Sequence, residues 1–186
     1  MSLGLYLHIP YCFSKCRYCD FYSHPGERGV PEAYVNALLR ELSRFAPEAP
    51  LQPDTLYFGG GTPSLLCPEQ AKRLIDAARP MPGAEITLEA NPETVTEESL
   101  AGFREAGVNR ISFGVQSARD TQLRTLGRPH TAKQARAAFA AARRAGFTNI
   151  SGDIMLALPH YTEAEFDETL ELIEGGGAVS YTHLRA

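Results

Sequence analysis

Strand-like and helix-like segments alternate along almost the whole chain, and that alternation restricts the fold more than any other feature. Residues 3–9 are short, apolar and strand-like. Residues 31–45 place Tyr34, Leu38, Leu42 and Phe45 at helical spacing. Residues 55–58 form a second strand that runs into Gly59, Gly60 and Gly61. The segment 68–79 reads as a helix with Pro68 in its first turn, where the missing N–H has no helical partner to lose. Strand 85–90 leads to helix 96–106, with Thr96 as its cap and Gly107 as its stop. Strand 110–115, the Ala-rich helix 131–145 closed by Gly146, strand 149–156 and helix 162–174 complete the series. The last helix opens on Thr162 with Glu165 three residues on, a capping-box pattern.

Five β/α units with short connections predict the α/β class, with a parallel sheet and right-handed crossovers. An open doubly wound sheet and a β/α barrel both fit. Either one gathers ligands at the C-terminal ends of its strands, and the unusual residues stand there. The cysteines follow strand one, the glycine run follows strand two, Glu89 ends strand three and Gln116 follows strand four. Residues 1–177 are expected to be the N-terminal part of one such domain, with a C-terminal domain absent. Val179, Ser180 and Tyr181 suit the start of a sixth strand. Residues 178–186 also resemble a translated adaptor junction and are expected to be foreign to the natural protein.

Composition narrows the function classes. The 186 residues carry 18 Lys+Arg against 22 Asp+Glu, a net charge of −4, which argues against a surface that coats nucleic acid. The basic residues Lys133, Arg136, Arg143 and Arg144 read as a solvated helix face. No stretch approaches the roughly 18 apolar residues of a membrane span, and the first residues lack a secretory pattern. A cytoplasmic location is expected. Cys12, Cys16 and Cys19 cluster within eight residues, whereas a disulfide framework spreads its cysteines. They read as metal or cluster ligands, and the isolated Cys67 as a packed or partly exposed thiol.

The cysteines form CxxxCxxC. Three thiolates on a four-iron cubane leave one iron without a protein ligand, and an open metal position admits a substrate. The same spacing also suits structural zinc with His8 or His24 as a fourth ligand. The glycine run lets the backbone turn sharply and approach a ligand. No GK[ST] follows it, so a Walker-type phosphate loop is not supported.

The stretch Tyr6-Leu7-His8-Ile9-Pro10-Tyr11-Cys12, continuing through Cys16, Tyr18, Cys19, Asp20 and Phe21, resembles the radical S-adenosylmethionine (SAM) superfamily. Within it, the chain is similar to the oxygen-independent coproporphyrinogen III oxidase-like family. The resemblance continues in order through Phe58-Gly59-Gly60-Gly61-Thr62-Pro63-Ser64-Leu65, Glu89-Ala90-Asn91-Pro92-Glu93, Arg110-Ile111-Ser112-Phe113-Gly114-Val115-Gln116-Ser117, Leu126-Gly127-Arg128-Pro129-His130-Thr131 and Asp153-Ile154-Met155-Leu156-Ala157-Leu158-Pro159. It spans roughly residues 5–174.

This resemblance implies a partial (β/α)6 TIM-like barrel with five β/α units present. It implies a [4Fe-4S] cluster on Cys12, Cys16 and Cys19, with SAM chelating the open iron. It places Tyr6, Tyr18, Gly60, Gly61, Thr62, Glu89, Gln116, Arg128 and Asp153 on SAM-contact positions. Their chemistry is compatible: a carboxylate such as Glu89 needs a partner when buried, Gln116 both donates and accepts, Arg128 suits a carboxylate, and Asp153 suits a ribose diol. His8 is expected beside the cluster as a packing or supporting residue, and His130 in the turn into the next helix. The oxidase branch resembles CxxxCxxCxC, whereas Phe21 stands at the further cysteine position here. The chain also begins only a few residues before its first strand. Both features point to the heme chaperone branch, which would bind heme and pass it to an acceptor protein. The alternative is coproporphyrinogen III oxidase or dehydrogenase activity. The family's heme-contacting signature lies beyond this segment.

Overall fold

The computed structural model describes residues 3–45, 51–158 and 162–185. Pro159, which ends the last motif, and Ala186 lie outside the described residues. Strands β1 (Gly4–Ile9), β2 (Thr55–Gly60), β3 (Glu85–Ala90), β4 (Arg110–Gln116), β5 (Asn149–Leu156) and β6 (Ser180–Arg185) form one sheet in sequence order. Every neighbouring pair is parallel. Between the strands run α1 (Glu32–Phe45), α2 (Pro68–Ala78), α3 (Glu97–Ala106), α4 (Asp120–Leu126), α5 (Ala132–Arg144) and α6 (Glu163–Gly175). This is the α/β fold with a parallel sheet expected of a partial TIM-like barrel. The segment around Val179–Tyr181 does enter a sixth strand, in register with β5 from Ser151↔Ser180 to Leu156↔Arg185.

The helix ends follow from local chemistry. Thr96, Thr131 and Thr162 each accept a hydrogen bond from the N–H three residues on, at 3.1, 3.2 and 3.4 Å. The side chains of Ser99, Gln134 and Glu165 accept in return from the cap N–H, each at 2.9 Å. These three threonine capping boxes, and the bond from Cys67 N to Gln70 Oε1 at 3.1 Å that opens α2 in the same way, stand where the sequence pattern alone marked one box. Gly107 ends α3 at φ +114°, a left-handed conformation that glycine adopts without a side-chain clash.

Two local expectations need amendment. Helix α4 is not foreseen by periodicity: it has seven residues, too few to establish a 3.6-residue pattern. Phe45 was expected on the buried stripe of α1, yet it is 74% exposed, while Val35 and Leu42 are buried. It is the last residue of the helix.

The period-two alternation of the strands separates two faces. One lateral row, Leu7, Phe58, Leu88, Ile111 and Ile150, is in register and buried under the helices. Val35, Leu74, Leu100, Phe103, Phe139 and Leu172 pack onto that core. The opposite face carries Tyr6, Tyr57, Thr87 and Arg110 in one row, and Glu89, Ser112 and Ser151 in the next. Parallel strands usually bury both faces in apolar side chains. Here the second face is hydrogen-bonded instead: Arg110 Nη2 donates to Ser151 Oγ at 3.0 Å, and Ser151 Oγ to Ser112 Oγ at 2.9 Å.

Phe139 is fully buried and meets Phe113 edge-on, with centroids 5.2 Å apart. Phe139→Ala is expected to lower the unfolding free energy by about 3–5 kcal/mol in a denaturant titration. Phe45→Ala should change it by less than about 0.5 kcal/mol.

Candidate functional site

The loop after β1 is built by its own backbone. Tyr11–Cys12 and His24–Pro25 pair as two-residue parallel strands, so the chain leaves the sheet and returns beside it. Pro10 O accepts from His24 N at 2.6 Å, and Cys12 O from Glu27 N at 3.2 Å. Lys15 Nζ closes the loop from within, donating to Phe21 O at 2.6 Å and Ser23 Oγ at 2.9 Å. Arg17 N donates to Leu126 O at 3.0 Å, fastening the loop to the end of α4. Tyr18 packs on Leu126, Met155 and Leu158.

Cys12, Cys16 and Cys19 line one pocket. Its other walls are the ends of β2 to β5 and the turn after α4: Gly60, Gly61 and Thr62; Glu89 and Asn91; Gln116; Arg128; and Asp153. Glycine is required by close approach. A Cβ on Gly61 would lie 2.9 Å from Cys12 Sγ and 2.7 Å from Tyr11 O. Gly60 has φ +119°, and its Cβ would meet the His8 ring at 2.7 Å. Gln116 is in a left-handed conformation, φ +67°, where the β4–β5 register shifts. Such an irregularity re-aims a side chain at a strand end.

Of the positions expected to contact SAM, Tyr18, Gly60, Gly61, Thr62, Glu89, Gln116, Arg128 and Asp153 come together on the pocket. Tyr6 does not line it. Tyr6 is 54% exposed, its ring stacks on Tyr57 at 5.9 Å, and its Oη meets His8 Nδ1 at 3.2 Å. His8 Nε2 reaches Tyr22 O at 3.0 Å, so His8 braces the cysteine loop rather than facing the thiols. His24 Nε2 likewise turns to Tyr22 Oη at 3.2 Å. Among the described residues no three His, Cys, Asp or Glu side chains are placed to hold a single metal ion. Cys67 is exposed at the start of α2.

Some site residues carry no sequence signal of their own. Asn91 accepts from Arg128 Nη2 at 2.7 Å and donates from Nδ2 to Thr62 Oγ1 at 3.1 Å. Thr62 Oγ1 donates to Cys12 Sγ at 3.5 Å, and Arg128 Nη1 to Cys16 Sγ at 3.5 Å. Tyr57 Oη donates to Glu89 Oε1 at 2.8 Å, and Gly60 N to Glu89 Oε2 at 3.2 Å. His130 is more than a turn residue. It is buried, with Nε2 3.1 Å from Val115 O and Nδ1 3.3 Å from Glu93 Oε2. It ties the turn bearing Arg128 to the ends of β3 and β4. The motif containing Asn91 was visible in the sequence, but only proximity reveals what its amide does.

Two carboxylates share this enclosure. Burial pushes the Glu89 carboxyl up, against the hydrogen bonds from Tyr57 and Gly60. Asp153 is pushed up to about 6, first by burial and then by Glu89, against Ser112, Arg110 and Thr182. A carboxyl raised in the fold binds its proton more tightly folded than unfolded. Its stabilising contribution is therefore present at low pH and is lost as pH rises through about 6. Asp153→Asn is expected to raise the stability of the ligand-free chain by about 1–3 kcal/mol at pH 7.5. The gain should shrink as pH falls from 6 toward 4, as read by thermal melts across that range. A gain independent of pH would contradict this account.

Residues 6–173 match the Radical SAM superfamily. The chain is 39% identical over 183 residues to the heme chaperone HemW of Haemophilus influenzae, covering 92% of this chain and 48% of that protein. It is 43% identical over 163 residues to the heme chaperone HemW of Escherichia coli, covering 84% and 43%. Among solved structures, coproporphyrinogen III oxidase (HemN) from Escherichia coli, a radical SAM enzyme, superposes with a TM-score of 0.86 at 28% identity, over 99% of this chain and 44% of that one. The chain thus spans about half the length of the curated relatives it matches. With the family match over most of its length and the three thiols at the mouth of a parallel α/β sheet, this chain belongs to the radical SAM superfamily.

Proposed function

We propose that this chain is the cluster- and SAM-binding part of a heme chaperone. The observation that carries the reading is the single pocket at the C-terminal strand ends, lined by all three thiols of CxxxCxxC, the glycine turn and four polar side chains, Glu89, Gln116, Arg128 and Asp153. The residues present fit a polar ligand bound beside a sulfur-ligated group. Gln116 Oε1 and Arg128 Nε are buried without a hydrogen-bond partner among the described residues, and both residues line the pocket. A buried polar atom without a partner is costly, and a ligand with matching groups removes that cost.

In this reading Cys12, Cys16 and Cys19 hold a [4Fe-4S] cluster, which supplies one-electron reduction of SAM when bound. All three thiols line the one pocket, where a shared group can reach each of them. Glu89 takes the SAM ammonium. Arg128 holds the carboxylate, fixed in direction by its bonds to Asn91 and to Gly114 O at 2.6 Å. Gln116 and Asp153 face the ribose hydroxyls, with Ser112 Oγ donating to Asp153 Oδ1 at 3.5 Å. Gly60, Gly61 and Thr62 offer backbone groups, and Tyr18 closes the side near Cys16. Tyr6 acts from beneath, through its contacts with His8 and Tyr57.

Heme as the cargo rests on the identity to heme chaperones and on Phe21, 61% exposed, where the oxidase motif has a cysteine. An unidentified acceptor protein would receive it. A cytoplasmic site of action agrees with the lack, among the described residues, of a helix long and apolar enough to cross a membrane. The structural similarity to coproporphyrinogen III oxidase favours the second reading, oxidative decarboxylation in porphyrin synthesis.

Low-temperature EPR on the anaerobically reconstituted, reduced chain tests the cofactor assignment. A [4Fe-4S] signal that changes shape with SAM, and is lost in Cys12→Ala, is the expected result. A signal indifferent to SAM overturns it. A heme titration at the Soret band on a protein of the relatives' full length that carries this segment, beside an assay for coproporphyrinogen III decarboxylation with SAM and reductant, separates the two functions. Heme bound without decarboxylation supports the chaperone, and SAM-dependent release of carbon dioxide supports the oxidase.

A further inference from the structure

Asn91 stands between two side chains that reach cluster cysteines, and the chemistry of those side chains settles the direction of every hydrogen bond between them. Arginine has donors only. The Asn91 atom facing Arg128 Nη2 at 2.7 Å must therefore be its carbonyl oxygen, and the amide N–H must face Thr62. Thr62 has one hydroxyl hydrogen, and its side chain is buried. Because its oxygen already accepts from Asn91 Nδ2 at 3.1 Å, its hydrogen is free for Cys12 Sγ at 3.5 Å. Arg128 reaches the second cysteine, Cys16, with its other terminal nitrogen. Gly114 leaves room for the arrangement: a Cβ there would lie 3.0 Å from Asn91 Oδ1 and 3.1 Å from Arg128 Nη2.

We propose that Asn91 is a positioning residue that orients the Thr62 hydroxyl and the Arg128 guanidinium as donors to Cys12 and Cys16, and thereby raises the reduction potential of the cluster they hold. This rests on the cluster assignment above. Donors to a ligating sulfur withdraw electron density and favour the reduced cluster. The direction of the chain is the point of the side chain's identity. Aspartate has the same shape but accepts at both oxygens. It would keep Arg128 and turn the Thr62 hydrogen away from Cys12.

The test is an EPR-monitored redox titration of the reconstituted chain without SAM, comparing wild type, Asn91→Asp, Thr62→Val and the double variant. Both single variants preserve side-chain shape, and each is expected to have a more negative midpoint than wild type. The added charge alone lowers the midpoint in Asn91→Asp, so the cycle decides. If Asn91 acts through the Thr62 hydroxyl, Thr62→Val shifts the midpoint in the wild-type background and shifts it little in the Asn91→Asp background. Equal shifts in both backgrounds overturn the proposal, as does an unshifted Thr62→Val. Should Asn91→Asp fail to take up a cluster, the same cycle with the uncharged Asn91→Ala in its place decides. A wild-type chain that takes up no cluster overturns the cofactor assignment and this inference together. A normal wild-type signal with unshifted variants overturns only the inference.

Discussion

The parallel ladder from β1 to β6 is the constraint on which the rest of this structure depends. Because every pair runs in one direction, the C-terminal ends of the strands share one edge of the sheet. Residues separated by most of the chain, such as Cys16 and Arg128, then meet across that edge. The helices hold the edge in place by burying the other side of each strand. The row Leu7, Phe58, Leu88, Ile111 and Ile150 contributes most through its removal from water, at roughly 25 cal/mol per Å² of apolar surface. Register matters as much as burial. A slip of one residue would put Glu89 and Asp153 into that core and Leu88 and Ile154 into the pocket.

The pocket concentrates features that cost stability in the ligand-free chain. Burial raises the proton affinity of both Glu89 and Asp153, and Glu89 adds to the shift of Asp153. Gln116 adopts a left-handed backbone, which costs a non-glycine residue about 1–2 kcal/mol. Buried polar atoms of Gln116 and Arg128 lack partners among the described residues. Around them the support is dense: Tyr57 on Glu89, Ser112 on Asp153, Asn91 on Arg128, and the His130–Glu93 contact beneath the same turn. Unmet polarity on Gln116 and Arg128, and the left-handed backbone of Gln116, fall on residues that line the pocket, as suits a place where a ligand completes the hydrogen bonding.

Local rules were legible wherever a short stretch determines its own conformation. The threonine caps with Ser99, Gln134 and Glu165, the glycine stop at Gly107 and the proline start of α2 need only neighbours within one turn. The Thr96 cap, the Thr162–Glu165 box, the Gly107 stop and the Pro68 start fell where the residue pattern put them, whereas the box at Thr131 and Gln134 was left unmarked although the same local rule covers it. Helix α4 was missed because seven residues show too little periodicity, and the exposure of Phe45 escaped because periodicity does not say what covers the last residue of a helix. Tyr6 shares its strand with the site but sits one layer below the pocket, a difference of depth that a motif cannot express.

By itself the sequence determined the α/β class, the order of the units and the placement of the cysteines, glycines and Glu89 at strand ends. Alternation and turn chemistry act over a few residues, and these features depend on nothing further away. Only the tertiary structure decided which polar groups meet. Asn91 bridges Thr62, 29 residues before it, and Arg128, 37 residues after it, and the direction of its amide follows from that meeting alone. Such contacts depend on strand register and on how far each loop rises above the sheet. Those are set jointly by packing across the whole core, and no local pattern encodes them.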